Sequence, residues 1–127
     1  MINKETEVFQ FIAKGLRQRF KGIYVTGAEL VDTPPKFPAV SLVQTNSITQ
    51  IRYATFEGLE NVVSEDYKAE VYSNLETGKE AQTKEITMAI SDLFKDLGYE
   101  RTFCEAIPNS DPGIHRRVSR YRKSNVI

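Results

Sequence analysis

Residues 77–98, TGKEAQTKEITMAISDLFKDLG, decide the fold. Ala81, Ile86, Ala89, Ile90, Leu93, Phe94 and Leu97 recur at the three- and four-residue intervals that align side chains on one face of an α-helix. Thr77-Gly78-Lys79-Glu80 has the S/T-x-x-E form of a capping box, and Gly98 stands where a left-handed cap closes a helix. The pattern predicts a helix over about 78–97 with one apolar stripe, which needs a second element to cover it.

The flanking segments supply that element. Upstream, Val62 to Asn74 alternates, with Val63, Tyr67, Ala69 and Val71 on one side and Asp66, Lys68 and Glu70 on the other, as in a strand with one buried face. Downstream, Tyr99 to Ile107 reads as a strand with Tyr99, Phe103 and Ile107 on one face. The turn-forming run Pro108-Asn109-Ser110-Asp111-Pro112-Gly113 then leads into a last strand over Ile114 to Lys123, adjacent in sequence and so expected antiparallel to it. Nearer the N-terminus, Val8, Phe9, Ile12, Leu16 and Phe20 trace a second amphipathic helix over 4–21, with Asn3 as its N-cap and Gly22 as its C-terminal cap. Lys14, Arg17, Arg19 and Lys21 suit the negative end of its dipole. Ile23-Tyr24-Val25 and Leu30-Val31 read as a strand interrupted near Gly27, and Ala39 to Thr45 as another beyond the proline-rich Thr33 to Pro38. Residues 47–61, with Ile48, Ile51, Tyr53 and Phe56, read as either a short hairpin or a loop around Gly58. The order α-β-β-β-α-β-β, with one apolar stripe per helix, predicts a two-layer α+β sandwich: a mostly antiparallel sheet with both helices on one face.

At 127 residues, the chain corresponds to a single domain spanning 1–127. Its composition, 40% hydrophobic and 27% charged, is that of a globular protein. No apolar run approaches the roughly 18 residues of a membrane span, and the polar opening MINKETEVF is unlike a secretory signal, so neither a membrane protein nor an exported one is expected. One cysteine and one histidine leave too few soft ligands for a zinc site. Nothing matches a Walker loop, and the seven glycines are too scattered for a dinucleotide turn. His115 lies among arginines whose field favours the neutral imidazole, Cys104 reads as a small apolar filler, and Glu57/Glu60 and Glu65/Asp66 read as solvated acids. Glu65 and Asp66, adjacent on a strand, point to opposite faces. The expectation is a protein that is not an enzyme and uses no cofactor or metal.

Although the net charge is zero, it is unevenly distributed. Residues 22–113 hold seven Lys/Arg against fifteen Asp/Glu, whereas residues 114–127 hold five basic residues and no acid. Arg116, Arg117, Arg120, Arg122 and Lys123 put charge on both faces of the last strand, which is therefore expected at a sheet edge or against a polar partner. Arginine's planar fork suits carboxylate or phosphate, and Tyr121 adds an aromatic of the kind common at interfaces. Two partners fit: nucleic acid, or the acidic middle of another copy in a head-to-tail arrangement that closes into a ring.

Val71-Tyr72-Ser73-Asn74, Leu97-Gly98-Tyr99, Ile107-Pro108-Asn109 and Ile114-His115-Arg116-Arg117-Val118-Ser119-Arg120-Tyr121, in this order and spacing, resemble the tail terminator (tail completion, tail-to-head joining) proteins of long-tailed bacteriophages. The likeness covers roughly residues 38–123, with an aromatic usual in the family where His115 stands. The resemblance implies an α+β fold and a six-membered ring that caps the tail tube, stops its polymerisation and joins tail to head at the neck. Implied partners are other copies of the chain, the tail tube protein and a head-completion or stopper protein, with DNA passing through the ring without sequence-specific contact. The implied location is the virion's head–tail junction, reached from the host cytoplasm during assembly. Carried onto this chain, Arg116, Arg117, Arg120, Tyr121, Arg122 and Lys123 would form the ring or tube contact. Ile51, Arg52, Tyr53, Phe56 and Glu57 would form a lumen or neck loop. Six copies would gather about thirty such basic side chains, so pairing with acids on a neighbouring subunit or on the tube is expected. The alternatives are another neck component and a small single-stranded nucleic-acid-binding module; zero net charge and aromatics on core periodicities count against the latter.

Overall fold

The computed structural model describes residues 5–30, 34–49, 62–108 and 111–126. Its elements are α1 (Glu5–Arg19), β1 (Tyr24–Thr26), β2 (Ala39–Thr49), β3 (Val62–Ser73), α2 (Lys79–Asp96), β4 (Glu100–Ile107) and β5 (His115–Val126). The five strands form one sheet in the order β1-β2-β3-β5-β4, antiparallel except for the parallel pair β1 and β2. Both helices cover the same face, as the paired apolar stripes require. The α+β class and the element order agree with the expectation from sequence.

Between the layers lies the main core. Val8, Ile12 and Leu16 of α1 and Ile86, Ile90 and Phe94 of α2 meet Val40 and Leu42 of β2, Tyr67, Ala69 and Val71 of β3, and Tyr121 of β5. Phe94 organises the aromatic part: it stacks on Tyr121 at 4.3 Å and meets Tyr67 and Tyr99 at 5.5 and 5.1 Å in tilted and edge-on contacts. Such pairs contribute about 1 kcal/mol each beyond the area they bury. A smaller cluster sits on the opposite face, where the connection from β1 to β2 brings Leu30 and Phe37 against Ala39, Tyr72 and Ile114. Ser41 Oγ donates to the Ala28 carbonyl at 2.8 Å, tying this connection to the sheet.

Several local expectations change. The first strand is only Tyr24–Thr26, and Leu30 serves the second cluster instead of extending it. The capping box at 77–80 does not form: Gly78, at φ 86°, is the N-cap, so Glu80 falls one position short of the box and pairs with Lys84 at 3.4 Å. Ala81 is exposed, and Thr83 and Thr87 take buried places on the stripe. The far end of α2 behaves as expected. Gly98, at φ 88°, donates to the Lys95 carbonyl and Tyr99 N–H to that of Phe94, both at 2.9 Å, which is a Schellman closure. A register shift between Arg101 and Phe103 breaks the alternation expected in β4, so Tyr99 enters the core while Phe103 emerges on the opposite face.

Candidate interaction surface on the charged sheet

β5 is not an edge strand. It lies between β3 and β4, and the second sequence option holds, because its polar partner is β3. Antiparallel register sets Asp66 opposite Arg122, Lys68 opposite Arg120, Glu70 opposite Val118 and Tyr72 opposite Arg116, all on the face away from the helices. That ladder decides which cations are already occupied.

Glu70, 5% exposed, is the centre of the first group. Arg116 reaches its Oε2 through Nη2 at 2.9 Å and Nε at 3.1 Å, the Tyr72 hydroxyl donates to the same oxygen, and Lys68 Nζ lies 3.2 Å from Oε1. The Arg116 guanidinium also lies 5.8 Å from the centre of the Tyr72 ring. Burial by itself would raise the Glu70 pKa, but the hydrogen bonds from Arg116, Tyr72 and Lys68 and the Arg116 charge outweigh it, holding the carboxyl below its usual value. Burial and the neighbouring Glu70 carboxylate push the Tyr72 phenol well above its ordinary range. Lys68 is held charged, first by Glu29 at 2.7 Å, against the opposing effect of its own burial.

Arg122 makes the second pairing, a two-pronged contact with Asp66 in which Nε meets Oδ1 at 2.8 Å and Nη2 meets Oδ2 at 3.0 Å. Its exposure makes this a specific but energetically weak bond. Lys123, on the helix side, donates to the Leu97 carbonyl at 2.8 Å and approaches the Tyr99 ring at 5.6 Å, placing its charge at the C-terminal end of α2. Tyr121 is 1% exposed, stacked on Phe94, with its hydroxyl 2.8 Å from Ser91 Oγ. Arg116, Arg122, Lys123 and Tyr121 are all engaged within their own subunit, and Tyr121 is buried in its core. Arg117 and Arg120 have no ion-pair partner among the described residues, and they point to opposite faces of the sheet.

The acids also change reading. Glu65 and Asp66 do point to opposite faces, but neither is a solvated acid. Glu65 is buried and accepts from the Tyr99 hydroxyl at 2.8 Å, while Asp66 holds Arg122. His115 faces the helix side near the start of α2, where burial first and the Arg117 charge second lower its pKa and favour the neutral ring. Cys104 is partly buried opposite Ser119. No group of three His, Cys, Asp or Glu among the described residues could hold a metal ion. Ile51, Arg52, Tyr53, Phe56, Glu57 and Glu60 lie outside the described residues.

A second basic surface lies toward the C-terminal end of α1. Lys14, Arg17, Arg19 and Lys21 are all exposed, with no acid between them in the chain and no ion-pair partner among the described residues. The signal was visible as four cations in eight residues, but helix-dipole complementarity accounted for it locally. The chain's sequence matches no protein-family model, and no curated protein is significantly similar to it.

Proposed function

We propose that this chain is a tail terminator of a long-tailed bacteriophage, a structural subunit whose ring caps the tail tube and joins it to the head. The observation that carries the reading is where the resembling motifs fall. Val71-Tyr72-Ser73 closes β3, Leu97-Gly98-Tyr99 closes α2, Ile107-Pro108 closes β4, and the Ile114–Tyr121 stretch opens β5. The motifs thus mark consecutive boundaries of one fold, at positions where cap and register geometry constrain the residue type. The two-helix, single-sheet architecture is the one the resemblance implies.

The docking chemistry proposed for β5 narrows. Arg116 and Arg122 already hold carboxylate partners in the subunit, which removes part of the repulsion that about thirty unpaired cations in a ring would generate, and Lys123 is held at a backbone carbonyl. Arg117 and Arg120 are the cations of this strand left for contact with tube or neighbour. Electron microscopy of the purified protein with and without tail tubes tests the function. Rings seated on tube ends, with tubes of uniform length, support it; tubes that grow on unchanged and carry no bound protein overturn it. The double substitution Arg117→Glu, Arg120→Glu should leave the subunit folded and abolish capping.

A further inference from the structure

Two buried nitrogens on the helix side of β5 lack a partner. His115 Nε2 and Arg117 Nε are shielded from solvent and make no hydrogen bond among the described residues, a state that disfavours the fold unless an acceptor arrives. His115 stands opposite Ser73 of β3, and Arg117 opposite Val71. Ser73 Oγ donates to Gln82 Oε1, which pins the first turn of α2 beside His115. Farther along, Ser91 Oγ and the Tyr121 hydroxyl hold the helix over β5 at 2.8 Å. Arg117 lies on the strand between these two anchors. Its neighbour on the other side, Ala106 of β4, is small and exposed, so the seam between α2 and β4 is open at this point.

The charges that act on the His115 ring are Arg117, Lys79 and Lys84 against Glu80. Glu80 lies 3.4 Å from Lys84, Lys79 Nζ reaches the Pro112 carbonyl at 3.5 Å, and Arg117 has no ion-pair partner among the described residues. Two further acids stand in the adjoining turns. Asp111 accepts the Gly113 N–H at 2.8 Å, and the exposed Glu76 pairs with none of these cations among the described residues. We infer that His115, Arg117, Lys79 and Lys84 form a binding site for a phosphate-type oxyanion. A carboxylate is the poorer match, because this strand already shows how the chain holds one: a single guanidinium edge, Nε with Nη2, grips Asp66 and again Glu70. Here the donors come from a strand and a helix and include an imidazole, which suits an acceptor with oxygens in several directions. An anion seated in the open seam draws the two nitrogens onto it by a side-chain rotation, satisfies both and offsets the excess positive charge. The site goes beyond the tail-terminator reading and does not depend on it.

His115 is the only histidine in the chain, so proton NMR follows its ring as a single set of imidazole signals. At neutral pH, inorganic phosphate should shift those signals saturably, and sodium chloride at matched ionic strength should not. With sulfate, which keeps its charge through the titration, the midpoint of the ring should rise, because a bound anion favours its cationic form. Arg117→Gln should weaken phosphate binding by roughly tenfold through loss of a charged donor, and Lys84→Gln, at an exposed position, by roughly threefold. If circular dichroism shows that Arg117→Gln does not fold, Lys84→Gln carries the test. A short single-stranded oligonucleotide that saturates the same shift at a lower phosphate concentration assigns the ligand to nucleic acid. Phosphate active with the oligonucleotide inert assigns it to a free anion. A ring that responds to none of these probes, responds equally to chloride, or responds unchanged in the variants overturns the site.

Discussion

Glu70→Gln isolates the question of whether Arg116 belongs to its own subunit. The substitution keeps the side chain's shape and one acceptor oxygen but removes the charge facing Arg116, Lys68 and the Tyr72 hydroxyl. Removing one member of a fully buried ion pair costs about 3–5 kcal/mol. Here the partners have outlets, since the Arg116 side chain is 28% exposed and Lys68 retains Glu29 at 2.7 Å, so the loss should fall to about 2 kcal/mol. For a chain of this length that lowers the melting temperature by about 8 °C. Urea unfolding of wild type, Glu70→Gln, Arg116→Gln and the double variant gives the coupling directly, expected at about 1 kcal/mol or more. The effect is also signed in pH. A carboxyl held below its unfolded value near 4.5 contributes stability above that value and loses it as pH falls through the folded pKa. The gap between wild type and Glu70→Gln should therefore be full at neutral pH and shrink below pH 4.5. A Glu70→Gln variant within about 0.5 kcal/mol of wild type, or a coupling of zero, would refute the internal pairing and return Arg116 to the pool of docking groups.

Other outcomes follow from the same geometry. Tyr121→Ala should lose about 3–5 kcal/mol because it opens the core beside Phe94, while Tyr121→Phe should lose about 1 kcal/mol, that of the Ser91 hydrogen bond; calorimetry of both separates a core residue from an interface one. Gly98→Ala places a Cβ at φ 88° and should cost about 1–2 kcal/mol in a denaturant titration, whereas a neutral result would mean the Schellman closure is not held. His115, with its pKa lowered in the fold, penalises protonation, so stability should fall as pH drops below the unfolded value near 6.5 and level off below the folded pKa. Replacing it with Asn should flatten that part of the pH profile, as read from melting temperatures between neutral and mildly acidic pH.

Much of the fold was legible from the chain because its signals are short-range. Helical spacing in α1 and α2, alternation in β3, and the glycine closing α2 act over a few residues, and the structure places each within two residues of expectation. Where a signal depended on one residue's offset, it failed: Thr77 lies just outside the N-cap, and one irregular step in β4 sends Tyr99 and Phe103 to opposite faces. The candidate site was half legible. The sequence marked Arg116, Arg122 and Lys123 as charges in need of partners but could not name those partners.

The one-dimensional pattern by itself determined which residues form helices and strands, which stripe of each helix is apolar, and that the last strand carries charge on both faces. Only the tertiary arrangement decided that β5 lies inside the sheet, and it thereby decided the fate of its arginines. Arg116 and Glu70 are 46 residues apart in the chain, and Arg122 and Asp66 are 56 apart. Their meeting depends on strand order and register, which the whole sheet sets at once and no local window contains. Lys14, Arg17, Arg19 and Lys21, by contrast, meet no acid among the described residues.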